Sequence, residues 1–347
     1  MEYRKVQLTG GSTLTISLPK QWTKQVGIRP GDKVAIIPQK DSSLHIVPRF
    51  EGERSETLEV SITVVPQENP EAVLRRVIAH YLVGYDIIRI YSSQERLPVR
   101  LRKLVKETIR NKFMGTEVVE ESSEELVLQA FLGHSDLSIN GAIQRMHILS
   151  SMMHKDAIES MQNLDKELLT DLVNRDDDVD RLYLFTVRLL KKAMSNLQAL
   201  EGLGIERPRD ALGYRLVSKS LERIGDHAVT IAKNALELPS PLSKRIFDHV
   251  FEIYKTSDEG HKQSIEALFK QDQKFAERSF ELVSKLPGME DKIMHELLRE
   301  EPDVTFVLPV RMILESNRRI GEYGADIAEI AINMITKEPP QTGSSSS

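Results

Sequence analysis

The chain has 347 residues, 40% of them hydrophobic, a net charge of −5 and no cysteine. Such a length predicts two or three domains and can bury a sizeable core. The lack of cysteine excludes disulfides, Cys-ligated zinc and Cys-ligated iron–sulfur clusters, and fits a reducing compartment.

No apolar run approaches the roughly 20 residues of a membrane-spanning helix, and no signal-peptide core follows Met1 to Lys5. A soluble, cytoplasmic protein is expected. Charge is uneven: residues 1–50 hold eight Lys/Arg against three acids, leaving −10 on the remainder. A basic head on an acidic body predicts different partners for the two parts.

Residues 3–50 read as short strands separated by turns. Leu14 to Leu18 alternates and is rich in β-branched residues. A short helix from Lys20 to Val26 follows, with Gly27 to end it. Arg29-Pro30-Gly31-Asp32 is a turn, Lys33 to Pro38 a strand, and Leu44 to Val47 its return. A unit this small buries little core alone, so dimerisation is expected.

The run Gly11-Ser12-Thr13-Leu14-Thr15-Ile16-Ser17-Leu18-Pro19-Lys20, then Gly27-Ile28-Arg29-Pro30-Gly31-Asp32-Lys33-Val34, resembles the AbrB/SpoVT swapped-hairpin family. The resemblance implies two interleaved chains that present basic residues to DNA. Lys5, Lys20, Lys24 and Arg29 are the candidate phosphate contacts, which would make affinity salt-dependent. A domain that only dimerises the chain is the alternative.

Residues 56–131 read β-α-β-α-β-β: a strand Leu58 to Val65, a helix Pro70 to Leu82 capped by Asn69, a strand Asp86 to Tyr91, a helix Arg96 to Lys112, and a hairpin Thr116 to Glu120 with Leu126 to Phe131. The second helix is crowded with Arg96, Arg100, Arg102, Lys103, Lys106 and Arg110, which are expected to form a solvated face.

Residues 136–336 are helical almost throughout. Ile143, Met146, Leu149, Met153, Ala157, Met161 and Leu164 recur at spacings of three and four, the stripe of a bundle. The region repeats itself: Arg223 to Ala232 matches Arg319 to Ala328, and His154 and Asp165 match His261 and Asp272. The second copy lacks residues that the Gly202 to Arg209 loop would supply. Two three-helix bundles, 136–238 and 242–336, are therefore expected in tandem, followed by a flexible tail, 337–347. The whole chain is an α+β multidomain protein.

Asp176 and Asp180 are four residues apart, as are Glu222 and Asp226. On a helix that spacing puts both carboxylates on one face. Two such helices side by side gather four acids, which repel unless cations or protons intervene. Oxygen ligands suit magnesium, manganese, calcium or iron. Gly225, inside the second pair, is costly in a helix and is expected to mark a close helix approach.

Leu221-Glu222-Arg223-Ile224-Gly225-Asp226-His227-Ala228, with Asp176-Asp177-Asp178-Val179-Asp180-Arg181-Leu182, is similar to the signatures of the PhoU family. Residues 84–88 and 115–121 resemble archaeal members that carry an AbrB-like head. The resemblance implies a multinuclear centre of iron, zinc or other divalent ions, manganese and magnesium among them. It also implies a negative regulator that links phosphate transport to signalling through a transporter ATPase or a kinase. Asp176, Asp180, Glu222 and Asp226 are then the ligands. In the second copy Arg318 replaces the acid, Glu322 and Asp326 are weaker candidates, and Asp291 is the acid on the facing helix. His227, His154 and His261 are read as core histidines.

No P-loop, no G-x-S-x-G elbow and no Glu-x-x-His pair is present, so catalysis is not expected. The predicted function is a dimeric, metal-binding phosphate-signalling regulator with a DNA-binding head. An adaptor that dimerises without binding DNA and regulates a phosphate ABC transporter by protein contacts is the alternative.

Overall fold

The computed structural model describes residues 2–38, 43–48, 57–93, 96–131, 138–194, 197–300 and 303–337. They fall into two compact units, one before and one after residue 57.

In the N-terminal unit, β1 (Gln7–Thr9) pairs antiparallel with β2 (Thr13–Thr15) and sets Leu8 opposite Leu14. Gly10 and Gly11, at φ 63° and 84°, make the turn between them. The strand expected from Leu14 to Leu18 is thus confined to three residues. Helix α1 (Lys20–Gln25) follows, and Gly27 leaves it at φ 73°. Then β3 (Val34–Pro38) pairs antiparallel with β4 (Leu44–Pro48). Not one described residue of this unit is buried.

The second unit opens with the expected β-α-β-α-β-β order: β5 (Glu59–Val64), α2 (Pro70–Val83), β6 (Ile87–Ser92), α3 (Val99–Lys112), β7 (Thr116–Glu121) and β8 (Glu125–Ala130). The sheet order is β5-β6-β8-β7, with β5 and β6 parallel and the other pairs antiparallel. Asn69 caps α2 by accepting from the Glu71 N–H at 2.9 Å, and Gly84 ends it at φ 112°. Helix α3 starts after Pro98, later than the expected Arg96, because a residue before proline is pushed out of the helical region. Ile62, Val64, Ile88, Ile90, Leu126 and Leu128 form one buried sheet face, packed on Val77, Tyr81, Leu101 and Val105.

The helical region comprises α4 (Ile139–Asn163), α5 (Lys166–Ala193), α6 (Leu197–Gly202), α7 (Asp210–Leu236), α8 (Lys244–Lys270), α9 (Gln273–Val283), α10 (Leu286–Glu300) and α11 (Val304–Ile335). The repeat extends to its turns. Leu164 and Gln271 both take left-handed φ, 50° and 53°. Asp165 and Asp272 then cap the next helix through the N–H groups of Leu168 and Lys274.

Two details depart from a plain pair of three-helix bundles. The first copy carries an additional short helix, α6, with buried Leu200, Leu203 and Ile205 beside it, so the extra residues begin before Gly202. The middle helix of the second copy is broken into α9 and α10. Pro287 cannot donate to the Val283 carbonyl four residues earlier, and Val283 is where α9 stops.

Helices α7 and α11 run antiparallel: a Cβ on Gly213 would meet Met334, and His227 packs on Tyr323 with ring centroids 5.7 Å apart. His227 and Tyr323 are equivalent positions of the repeat.

Candidate metal centre

Asp176 and Asp180 lie on α5, and Glu222 and Asp226 on α7, which packs against it. The structure brings all four into one electrostatic neighbourhood. Burial pushes the Asp176 carboxyl up to about 6, and the negative charges of Asp180, Asp226 and Glu222 add to the rise. Burial likewise raises Glu222, with Asp226 and Asp180 adding and the Lys219 hydrogen bond opposing.

Three cations answer the four acids. Lys112, the last residue of α3, donates to Asp180 at 2.6 Å. Lys219 donates to Glu222 at 2.6 Å, and Arg223 donates to Asp226 at 3.0 Å. Asp176 is left over: its Oδ1 is buried without a hydrogen-bond partner. A buried carboxylate oxygen in that condition is costly and calls for a proton or a cation.

The donor set is all carboxylate and fits a hard cation. Among the described residues, no three acids or histidines stand close enough together to hold a metal with the side chains as placed. Asp180 and Glu222 are instead turned onto lysines. A metal held by these residues would replace lysine ammonium groups as the counter-charge.

Gly225 lies where α5 and α7 meet, but a Cβ there would sit 3.5 Å from Asp176 Oδ1 and Val179 Cγ1, an ordinary contact. Sterics alone therefore do not require glycine at 225. The matching position in the second copy is Gly321, where a Cβ would run into the Leu286 side chain and stand 3.3 Å from Ser257 Oγ; three residues on, a Cβ on Gly324 would stand 3.0 Å from the His261 Cα.

The second copy solves its charge problem internally. By the repeat register Asp176 and Asp180 become Val283 and Pro287, which lie at the break between α9 and α10. Arg318 stands in place of Glu222, donates to Glu290 at 2.7 Å and also pairs with Glu322. Arg319 donates to Glu322 at 2.6 Å. The acid that meets Arg318 is Glu290, one residue before Asp291 on the same helix. Glu322 is thus held by two arginines, while Asp326 is raised by burial and by Glu329.

His154 and His261 are buried in the core, as expected, whereas His227 is half-buried. His154 Nε2 is 2.6 Å from Asn317 Oδ1, and His261 Nε2 is 3.2 Å from His147 Nδ1. These contacts tie α4 of the first copy to α8 and α11 of the second. Sequence reasoning missed Lys112, Lys219, His147 and Asn317. Only Lys219, three residues before Glu222, had a local signal. In the N-terminal unit Lys5, Lys20, Lys24 and Arg29 are all exposed.

Two tandem copies of long helices, the first with an acidic seam, form an all-helical repeat scaffold. The family model described as "PhoU domain" matches residues 143–235 and 244–331, which together make up just over half of the chain. The chain belongs to the PhoU family, whose members are non-catalytic regulators in phosphate signalling and transport.

A second family model, "Antidote-toxin recognition MazE, bacterial antitoxin", matches residues 7–51, in line with an AbrB/MazE-like swapped-hairpin domain. Among solved structures, PhoU from Pseudomonas aeruginosa is similar at 21% identity and a TM-score of 0.50, over 57% of this chain and 95% of its own. The phosphate transport system regulatory protein PhoU from Streptococcus pneumoniae matches at 18% identity and a TM-score of 0.47, over 58% of this chain and 94% of its own. The Pseudomonas likeness bears on the fold alone. No curated protein matches the chain.

Proposed function

We propose that this protein is a metal-dependent, dimeric, cytoplasmic regulator of phosphate uptake. A divalent or trivalent cation sits among Asp176, Asp180, Glu222 and Asp226, and the N-terminal unit contacts DNA. The observation that carries the metal reading is Asp176: a half-buried carboxylate with an unpartnered buried oxygen, facing three further acids across α5 and α7. Glu322 and Asp326 take a lesser part, because arginines already hold Glu322.

Dimerisation is supported by the exposed apolar residues of the N-terminal unit. Leu8, Leu14, Ile16, Ile36 and Leu44 are each more than half exposed, and a unit with no buried residue among those described needs a second chain to form a core. The exposed Lys5, Lys20, Lys24 and Arg29 support phosphate-backbone contacts. A transporter ATPase or a signalling kinase is the proposed partner of the helical unit. The same exposed apolar residues also favour a second reading, in which the N-terminal unit only dimerises and the helical unit acts by protein contacts.

Elemental mass spectrometry of the purified chain tests the metal reading. Iron, zinc or manganese is expected in the wild type and lost in Glu222→Ala with Asp226→Ala; no metal in either protein after reconstitution would refute it. Deleting residues 1–50 separates the two readings of the head. Salt-sensitive promoter binding that disappears with the deletion supports the DNA-binding head, whereas dimerisation lost without any DNA binding in the full chain supports the adaptor.

A further inference from the structure

We infer that the α/β unit carries a built-in competitor for the carboxylate face: Lys112 holds Asp180, and a divalent cation bound there releases Lys112, at the end of α3, from α5. This rests on the metal reading above and adds its consequence for the rest of the chain.

The α/β unit meets α5 along one helical face, and two polar clamps hold it. The first is Arg188, whose side chain is only 4% exposed. It donates to the carbonyls of Tyr81 at 2.6 Å and Tyr85 at 2.7 Å and to Asp86 at 3.0 Å, and Lys192 joins it on Asp86 at 2.8 Å. None of these groups is a candidate ligand.

The second clamp lies two turns earlier. Asn111 donates to Asp177 at 2.9 Å, Arg181 donates to the Asn111 carbonyl at 2.9 Å, and Lys112 reaches Asp180 at 2.6 Å with Asp177 at 3.5 Å. Here one partner of the docking contact, Asp180, is also a candidate ligand. It sits at the border between the face of α5 that meets α3 and the face that meets α7.

The two lysines at this face differ in what their displacement would do. Lys219 shares a helix with Glu222, so moving its ammonium group disturbs little else. Lys112 lies on α3, outside the helical repeat, so its release loosens the contact between α3 and α5. The second copy shows the permanent version of the same charge arrangement, with Arg318 built into the helix between Glu290 and Glu322. A divalent ion within a few ångströms of an ammonium group is repelled by it, and Asp180 must turn from one to the other. Because neither Arg188 nor the Asn111–Asp177 and Arg181–Asn111 bonds take part, α3 would stay docked through them while the Lys112 side chain comes free and the last turn of α3 loosens.

The test uses the full-length protein and Mn²⁺. Titration calorimetry compares the wild type with Lys112→Met, and amide hydrogen exchange follows residues 106–113 with and without Mn²⁺. The expected result is about fivefold tighter Mn²⁺ binding in Lys112→Met, equivalent to ~1 kcal/mol, the upper end for a part-exposed ion pair. Exchange in residues 106–113 of the wild type should also accelerate severalfold on Mn²⁺ addition, while residues 80–85 stay protected. Equal or weaker binding by a folded Lys112→Met chain, or unchanged exchange at 106–113 in the wild type, overturns the inference and leaves the metal reading standing. No Mn²⁺ binding by either protein refutes both.

Discussion

Arg318 on α11 lies 2.7 Å from Glu290 on α10, at the position where the first copy has Glu222. The second copy therefore neutralises its acids within itself, whereas the first takes one of its counter-charges, Lys112, from outside the repeat and leaves Asp176 without one. Arg318→Ala should strand Glu290, whose side chain is 17% exposed, and leave Glu322 to Arg319 alone. A loss of about 1–3 kcal/mol is expected in urea unfolding, with the metal content of the protein unchanged.

Asp176→Asn tests the unpartnered carboxylate. Its pKa is raised from 3.8 to about 6, so the folded state favours the protonated form. The group's contribution to stability is greatest below pH 3.8 and is lost as pH rises through 6. Without metal, the asparagine variant should be more stable than the wild type by about 1 kcal/mol at pH 8, after solvent screening is discounted. The gain should vanish at pH 4. A thermal melt at the two pH values checks it, and added Mn²⁺ should raise the melting temperature of the wild type only.

His154 predicts acid sensitivity at the junction of the two copies. Burial holds its imidazole down at about 4, against the Asn317 hydrogen bond and the charge of Asp258, which pull it up, while Lys262 pushes it down. The unfolded chain takes up a proton below pH 6.5 and the folded one does not until about 4. Stability is thus complete above 6.5 and falls as pH drops towards 4, by at most about 3 kcal/mol from this residue. His154→Gln should flatten that part of the stability curve measured by denaturant unfolding between pH 7 and 4.

Arg188→Met removes the permanent clamp. The carbonyls of Tyr81 and Tyr85 lose their shared donor, and Asp86 keeps Lys192 and the Leu58 N–H. A loss of about 3 kcal/mol is expected. Hydrogen exchange should rise on both sides of the seam, in residues 80–86 and in α5.

Gly324→Ala places a methyl group 3.0 Å from the His261 Cα and 3.2 Å from its backbone nitrogen. Backbone cannot yield as a side chain can, so α8 and α11 must separate, at about 1–3 kcal/mol in thermal or chemical unfolding. Gly225→Ala, with only ordinary contacts at 3.5 Å, should cost less.

Much of this architecture was legible along the chain. The alternation from Val60 to Val64, the Asn69-Pro70 start of α2, and the three-and-four spacing from Ile143 to Met161 are local signals, and each marks a buried face. The four candidate ligands were legible because i,i+4 spacing is a helix property that needs no partner helix. The break at Pro287 was less so. Pro287 and Gly288 were visible, but that they fall where the first copy has Asp180 depends on the repeat register carrying over to folded helices.

The sequence by itself determined the elements, the repeat and the choice of acids, because turn residues, caps and periodicity act within a few residues of each other. Only the tertiary structure decided which cation answers which acid. Lys112 meets Asp180 across 68 residues and Arg188 meets Asp86 across 102. Those pairings follow from how α3 and α2 seat on α5, since ion pairs depend on separation in space and packing alone sets it.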